Sequence, residues 1–256
     1  MRDQGLDEAI RAAGGITALA RRIGVSQPSV SNWDRIPAER VLSVEAVTGV
    51  ARRVLRPDLF GTEMHTTDEV DAARAREYAL LATLLTSSPD AKLLGQLARM
   101  PVDASPLGLA HAALGTAAAR LDVERVGREY FELFVGVGRG DLLPYASYYL
   151  TGFLHARPLA HLRQDLRRLG IERDKGRSEP EDHAATLCEV MALLASGEIE
   201  APPGADREFF GAHMAPWIGR FFADMGLAGA ADLYACVGAL GRTFVEIETE
   251  AFALPS

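Results

Sequence analysis

Apolar residues recur at helical spacing along most of this chain, and the two-residue alternation typical of a half-buried strand is nearly absent. One stripe follows the i, i+3, i+4, i+7 pattern and consists of Tyr78, Leu81, Ala82 and Leu85. A longer stripe near the C-terminus consists of Leu233, Val237, Leu240, Phe244 and Ile247. Each stripe predicts a helix with one face in a core. We therefore expect an all-α fold.

The helical pattern is interrupted by a polar stretch, GTEMHTTD, at residues 61–68. Residues 1–60 carry a net charge of +2, whereas residues 61–256 carry a net charge of −10. This asymmetry indicates two surfaces with different partners. We predict a small helical domain at residues 1–61, a linker at residues 62–68 and a larger all-helical domain at residues 69–256.

The composition, with 48% hydrophobic and 24% charged residues, is typical of a soluble globular protein. Cys188 and Cys236 lie far apart in apolar helical runs, which favours buried thiols in a reducing compartment. The first residues contain no apolar leader, and no run of eighteen apolar residues follows. These features predict a cytoplasmic protein that neither crosses a membrane nor is exported.

Residues 16–35, ITALARRIGVSQPSVSNWDR, have the pattern of two short helices packed around a tight turn. Gly24 falls at the turn, where a positive φ is needed, and Ala20 is small enough for the helices to approach closely. Ser26 is placed to cap the second helix. This arrangement predicts a helix-turn-helix motif.

The flanking segments LDEAIRAAGG, IPAERVLSVEAVTG and LRPDLFG extend the pattern, and residues 6–61 resemble the YdaS-like, Cro-related helix-turn-helix family. The resemblance implies that the second motif helix enters the DNA major groove. The candidate base-reading residues are Gln27, Ser31 and Asn32, and the candidate phosphate contacts are Arg21, Arg22, Arg35 and Arg40. The modest charge leaves open a helical module that has lost DNA binding.

The segment RSEPEDHAATL, at residues 177–187, places three carboxylates and a histidine before an apolar run. A metal site is disfavoured because no other histidine or cysteine has ligand spacing to it. Ser147 lies in YASYY rather than in a nucleophile motif, which disfavours covalent catalysis. The carboxylates share one helix start, where we expect them to be solvated. The sequence therefore predicts a protein that is not an enzyme and that binds no metal.

The same segment also has the features of a helix N-terminus. Ser178 and Glu181 form a capping box, and Pro180 suits a first helical turn. Acidic residues at this end interact favourably with the helix dipole. His183 begins the apolar stripe of the helix, so we expect its ring to be half-buried.

Four separated segments occur in the order of a known family: YFELFVGVGRGDLLPYASYYL at residues 130–150, then RQDLRRLGI, EPEDH and FFGAHMAPWIGRFFADM. Together they resemble the TorD/DmsD/NarJ family of redox-enzyme maturation chaperones over about residues 70–250. The resemblance implies an all-helical chaperone that binds the twin-arginine signal peptide of an apo-molybdoenzyme. Such a chaperone delays export until the molybdenum cofactor is inserted.

A twin-arginine signal peptide presents two guanidinium groups followed by an apolar segment, so its binder needs carboxylates beside an apolar groove. Glu179, Glu181 and Asp182 are candidate carboxylates, and amphipathic tyrosines suit the groove. The resemblance maps the peptide-binding positions to Tyr130, Leu133, Phe134, Pro144, Tyr145, Ser147, Tyr149, Pro180, Asp182 and His183, to which we add Glu179. Leu133 and Phe134 fit a plain core position equally well. We expect Asp182 and His183 to lie beside Tyr145.

The sequence thus predicts a non-catalytic chaperone joined to a DNA-binding module, with formate dehydrogenase as a guess for the client. The alternative is a one-component transcription regulator whose helical C-terminal domain senses a ligand or partner. The resemblance also leaves open guanine nucleotide binding, to which no residues are assigned. Helix-turn-helix proteins often dimerise on palindromic sites, which leaves room for a homodimer.

Overall fold

The computed structural model describes residues 3–60, 62–138, 140–172, 179–229 and 231–254. The chain forms two compact units, Met1–Asp71 and Ala72–Ser256. Within the described residues, the secondary structure is helical apart from one isolated β-bridge between Tyr145 and His183. The prediction of an all-α fold is confirmed. In the described parts of the chain, we find no helix that is both long and apolar enough to cross a bilayer.

The N-terminal unit consists of short helices around a small core. Its core includes the fully buried side chains of Leu6, Leu19, Val30 and Val44. Its helices are α1 (Gln4–Ala13), α2 (Ile16–Arg22), α3 (Gln27–Ser31), α4 (Val41–Thr48), α5 (Arg52–Leu55) and α6 (Pro57–Phe60), with a 3₁₀ turn at Ala38–Arg40.

The turn between α2 and α3 has the predicted geometry. Gly24 adopts a φ of +71°, which a residue with a side chain rarely adopts. Ser26 precedes α3, and its side-chain oxygen accepts a hydrogen bond from the Ser29 amide at 3.3 Å. Ala20 is buried where the two helices pack. The predicted turn and cap of the helix-turn-helix motif are therefore confirmed.

The next helix, α7 (Thr62–Thr86), includes residues 62–68, which the sequence predicts as a linker. A leading glycine, polarity and the change in charge suggested that linker, but residues 62–86 contain no proline or glycine to break a helix. In the larger unit, the α7 residues Tyr78, Leu81, Ala82 and Leu85 are all buried. The apolar stripe predicted for α7 is therefore confirmed.

The larger unit is built around its C-terminal helix, which packs against α7 and against the helices Pro106–Arg120 (α9), Val123–Tyr130 (α10) and Ile218–Leu227 (α15). In chain order, the helices that follow α7 are α8 (Ala91–Leu97), α9 (Pro106–Arg120), α10 (Val123–Tyr130), α11 (Ala146–Thr151), α12 (Arg157–Arg168), α13 (Ala184–Ser196), α14 (Ala205–His213), α15 (Ile218–Leu227) and α16 (Leu233–Ala253). A π-helical turn at Phe131–Val135 follows α10.

The first turn of α16 is held by a carboxylate from α10. Glu129 is only 4% exposed and accepts hydrogen bonds from the backbone amides of Asp232, Leu233 and Tyr234 at 2.6–3.1 Å. The start of a helix leaves such amides without intrahelical partners. Glu129 therefore ties the last helix to the middle of the chain.

The apolar face of α16 departs from the predicted stripe at its C-terminal end. Ile247 is 39% exposed, whereas the neighbouring Glu248 is only 1% exposed. Glu248 accepts hydrogen bonds from the Arg74 guanidinium at 2.8–2.9 Å and from the Tyr78 hydroxyl at 2.8 Å. These partners on α7 compensate the burial of the Glu248 carboxylate. Because Glu248 rather than Ile247 is buried, the expectation that Ile247 belongs to the core is wrong.

Helices α15 and α16 approach closely through a glycine. A Cβ atom at Gly238 would lie 2.6 Å from the Phe222 carbonyl oxygen, a separation that side chains do not tolerate. The close approach buries Phe222 and Phe221 completely. These aromatic residues form part of the core on which the candidate site is built.

Candidate functional site

The candidate site lies where the segment before α11 meets the turn before α13. Tyr145 and His183 form the antiparallel bridge. The Ala184 amide donates to the Pro144 carbonyl at 2.8 Å, and the Ala146 amide donates to the Asp182 carbonyl at 3.0 Å. The two segments, which are far apart in sequence, are thus joined by backbone hydrogen bonds. The structure places Asp182 and His183 beside Tyr145, as expected.

Asp182 is an internal part of this junction. Its side chain is only 1% exposed, and its Oδ2 atom accepts a hydrogen bond from the Ser147 amide at 2.8 Å. Among the described residues, neither Asp182 Oδ1 nor the Ser147 hydroxyl, both buried, has a hydrogen-bond partner. The expectation that all three carboxylates are solvated is therefore wrong for Asp182, because its backbone hydrogen bonds turn the side chain inward.

The helix after this turn begins later than the capping box predicts. His183 is the N-cap of α13, and its Nδ1 atom accepts a hydrogen bond from the Ala185 amide at 3.1 Å. Pro180 and Glu181 precede the helix, while Ser178 lies outside the described residues. The helix start predicted near Pro180 is wrong, because the bridge to Tyr145 holds this stretch in extended and turn conformations. The half-buried position of His183 is confirmed.

The solvent-accessible part of the site consists of the half-buried Tyr145 and the exposed Glu179. The Tyr145 hydroxyl donates a hydrogen bond to the Glu179 carboxylate, and the Tyr145 ring meets the His183 ring edge to face at 5.1 Å. Burial, reinforced by the Glu179 carboxylate, raises the pKa of Tyr145 well above its ordinary value. The phenol therefore remains a donor at neutral pH. Glu179 itself is exposed.

Glu181, the third carboxylate, forms an ion pair with α12. Its two oxygens accept hydrogen bonds from the Arg163 guanidinium at 2.7–3.1 Å. The Glu181 side chain is 12% exposed and the Arg163 side chain is 39% exposed. This pair attaches the turn before α13 to α12. Sequence analysis did not identify Arg163, because its partner is set by the fold.

Leu133 belongs to the core, and Tyr130 and Phe134 pack against it. Burial, with the Glu179 carboxylate adding to it, raises the pKa of Tyr130, so this tyrosine lies near the junction. Leu133 is fully buried, which confirms the core alternative for that residue. The Tyr130 hydroxyl donates to the Thr86 carbonyl at 3.0 Å, and its ring lies 5.0 Å from Phe134 and 5.8 Å from Tyr234. Tyr130 and Phe134 are half-buried around Tyr234.

Tyr149, on α11, packs against residues of α15 and its N-cap, Trp217. Its ring lies 5.3 Å from the Trp217 ring, and the Arg220 guanidinium lies 4.9 Å above its centre. Its hydroxyl donates to Asp224 at 2.9 Å. Sequence analysis did not single out these partners, although Trp217, Arg220 and Asp224 follow helical spacing in one of the quoted segments. The aromatic residues thus form more than one cluster.

The candidate DNA-contacting residues lie in the N-terminal unit. Gln27 is exposed and donates from Nε2 to the Ser31 hydroxyl at 2.9 Å, and Asn32 is exposed at the end of α3. Ser31 is half-buried. The candidate phosphate contacts Arg21, Arg22, Arg35 and Arg40 are all exposed.

Asp58, in the first turn of α6, is linked through Arg56 to the segment after α3. It accepts two hydrogen bonds at 2.7 Å from Arg56, and Arg56 also donates to the Ile36 carbonyl at 2.5 Å. The hydrogen bonds from Arg56 lower the pKa of Asp58 to about 2. Arg35 makes a longer contact with Asp58 at 3.5 Å, and 62% of its side chain is exposed.

Comparison with known proteins gives two family matches. Residues 101–223 match the family described as nitrate reductase delta subunit, and residues 6–64 match the family described as bacterial toxin YdaS. The second match covers the helix-turn-helix unit, and the first contains Tyr145, Asp182 and His183.

The curated relatives of this chain include chaperone proteins named TorD. The TorD of Vibrio cholerae is 28% identical over 127 residues, which cover 46% of this chain and 58% of that protein. The TorD of Shewanella pealeana is 25% identical over 217 residues, which cover 75% of this chain and 96% of that protein. The match thus spans little more than half of the Vibrio cholerae relative.

Similarity also extends to a crystal structure from Archaeoglobus fulgidus, described as a redox enzyme maturation protein. It is 20% identical, covers 68% of this chain and 93% of its own, and superposes with a TM-score of 0.45. The curated relatives are named as chaperones. Their names agree with the prediction that this chain is not an enzyme.

Proposed function

We propose that this chain, a TorD-like chaperone with an N-terminal YdaS-like helix-turn-helix domain, binds the twin-arginine signal peptide of an apo-molybdoenzyme in the cytoplasm. Binding would hold the enzyme back from export until its molybdenum cofactor has been inserted. The observation that supports this proposal best is the exposed Glu179 carboxylate beside the paired rings of Tyr145 and His183.

Glu179 has the chemistry to bind an arginine of the signal peptide. A guanidinium group can donate two parallel hydrogen bonds to a carboxylate, which fixes its orientation as well as its affinity. An ionised carboxylate has about four acceptor positions, so Glu179 can keep the Tyr145 hydrogen bond while it binds arginine. The Tyr145 ring adds a surface on which a guanidinium plane can stack.

Asp182 contributes by positioning. It is buried against the Ser147 amide, and its neighbour His183 supports the Tyr145 ring. We propose that Asp182 fixes the two segments that carry Tyr145 and His183, while Glu179 makes the direct contact. Pro144 and Ser147, both buried, and Leu133, in the core, act as supporting residues.

A peptide-binding measurement tests the contact. We expect Glu179→Gln to weaken binding of a synthetic peptide with consecutive arginines and an apolar tail by roughly tenfold, about 1.4 kcal/mol. The glutamine can still accept the Tyr145 hydrogen bond but has lost the charge. Fluorescence anisotropy with the full-length chain measures the affinity. A peptide with lysines in place of the arginines should bind more weakly to the wild type, since ammonium groups lack the bidentate geometry.

Glu124→Gln is the matched control, because the Glu124 side chain on α10 is 90% exposed and lies 4.0 Å from the Arg128 guanidinium. This variant should bind the peptide as the wild type does. If the wild-type chain does not retain the peptide, the chaperone proposal fails. The alternative of a transcription regulator that senses another ligand or partner then gains support.

We propose further that the N-terminal domain binds DNA, with Gln27 and Asn32 reading base edges. Both side chains are exposed on or beside α3, and amide side chains can pair with adenine through two hydrogen bonds. Arg21 and Arg22, exposed at the end of α2, would contact phosphates.

A binding assay on a duplex from the promoter upstream of the chain's own gene tests the DNA proposal. Asn32→Ala should weaken specific binding by about 1–3 kcal/mol and relax the preference at one base pair. Arg21→Ala should weaken binding to all sequences and reduce the salt dependence by about one phosphate contact. Absence of any shift for the full-length chain at low salt would show that the domain has lost DNA binding.

A further inference from the structure

A groove runs between α12 and α13, beside the candidate site. Its volume is about 770 Å³, within the range of sites that bury most of a ligand of moderate size. Its apolar lining combines the buried side chains of Leu166 and Val190 with the half-buried side chains of Ile171 and Leu193. These side chains offer an apolar strip between the charged residues of the groove, suited to the apolar part of an occupant.

The charged residues that line the groove are mostly acidic. They comprise Glu172, Glu179, Glu181 and Glu189 against Arg163 and Arg167. The described lining thus has a net charge of −2. An apolar surface bordered by carboxylates is complementary to a segment that carries arginines next to apolar residues.

Glu179 connects this groove to the candidate site, because it lines the groove and accepts the hydrogen bond from Tyr145. We infer that the groove between α12 and α13 holds the apolar segment that follows the arginines of the signal peptide. This inference rests on the proposed function and identifies a second contact surface for it. The arginines lie at the Glu179 end, and the apolar residues extend along α13 toward Leu193.

The length of the groove fits such a segment. From Thr186 to Leu193, the part of α13 that lines the groove, the helix advances roughly 10 Å at 1.5 Å per residue. A helical segment of about seven residues covers this distance, and the apolar part of a signal peptide has roughly 7–15 residues. Tyr130 and Phe134, the alternative apolar surface, are already packed around Tyr234.

Substitution in the groove separates this inference from the proposed function. Leu193→Asp should weaken binding of the arginine–apolar peptide to the full-length chain by roughly tenfold, since it places a charge against the apolar segment. A control peptide whose arginines are followed by Gly and Ser should bind the wild type more weakly. Leu193→Asp should leave the affinity for this control peptide almost unchanged. Leu227→Asp is the matched control, because Leu227 is apolar and 85% exposed at the end of α15.

Glu189→Arg provides a second variant, which changes the charge of the groove without altering its apolar lining. It should weaken the arginine–apolar peptide severalfold. A photoreactive residue at position 186 should cross-link to the apolar part of the peptide, since Thr186 lines the groove. Unchanged thermal unfolding would show that the variants are folded.

The outcomes are distinguishable. If Glu179→Gln weakens binding while Leu193→Asp and Glu189→Arg do not, and position 186 does not cross-link, the groove inference is overturned and the proposed function stands. If the wild-type chain binds neither peptide, both are overturned. Selective loss of the arginine–apolar peptide in the groove variants supports the inference.

Discussion

Glu248→Ala is expected to lower the free energy of unfolding of the larger unit by about 3–5 kcal/mol. The substitution removes the buried carboxylate that accepts hydrogen bonds from Arg74 and from the Tyr78 hydroxyl. The buried Tyr78 hydroxyl then loses its acceptor, whereas the Arg74 guanidinium keeps its ion pair with Asp206, at 2.9 Å. Urea unfolding followed by circular dichroism measures the change.

Glu246→Ala is the control for this experiment. Glu246 lies two residues earlier on α16, is 62% exposed at its side chain and contacts Arg242 only at 3.9 Å. Its removal should change the free energy of unfolding by no more than about 0.5 kcal/mol. Equal effects of the two substitutions would contradict the structural role assigned to Glu248.

Asp182→Ala is expected to weaken signal-peptide binding at least about tenfold and to destabilise the larger unit by about 1–3 kcal/mol. The substitution leaves the buried Ser147 amide without its acceptor. The junction that holds Tyr145 against His183 is then loosened, so Glu179 and Tyr145 no longer present a fixed surface. Peptide anisotropy and thermal unfolding of the same preparation measure both effects.

Asp182→Asn distinguishes positioning from direct electrostatic contact. The asparagine carbonyl can still accept from the Ser147 amide, and the substitution removes the charge. If Asp182 acts by positioning, this variant should bind the peptide within about threefold of the wild type. A loss as large as that of the alanine variant, with stability retained, would instead identify Asp182 as a direct partner of the arginines.

Helical periodicity predicted the fold class and most core positions, because each apolar stripe reports the face on which its own helix packs. Periodicity failed at Glu248, and the predicted solvated helix start failed at Asp182; both are polar residues in buried positions. Each is compensated by a partner distant in sequence: Arg74 for Glu248 and the Ser147 amide for Asp182. A pattern along the chain cannot reveal such a partner.

For the candidate site, the sequence predicted that some residues lie together but not the backbone contacts that join them. Family resemblance placed Tyr145 and His183 in one site, although nothing in their spacing shows the bridge that joins them. The capping box predicted a helix start near Pro180. Backbone hydrogen bonds with residues 144–146 hold this stretch outside the helix, so α13 begins later. The groove between α12 and α13 was not foreseen, since its walls come from helices whose relative placement only the fold determines.

The attachment of the final helix through Glu129 has a consequence for biosynthesis. Domains generally fold as units, with N-terminal ones first, as the chain is synthesised. Glu129 accepts hydrogen bonds from the backbone amides of residues 232–234. The core around α16 therefore cannot form until this late part of the chain has been synthesised. A nascent polypeptide therefore displays a finished helix-turn-helix domain before its larger unit is able to bind the proposed client.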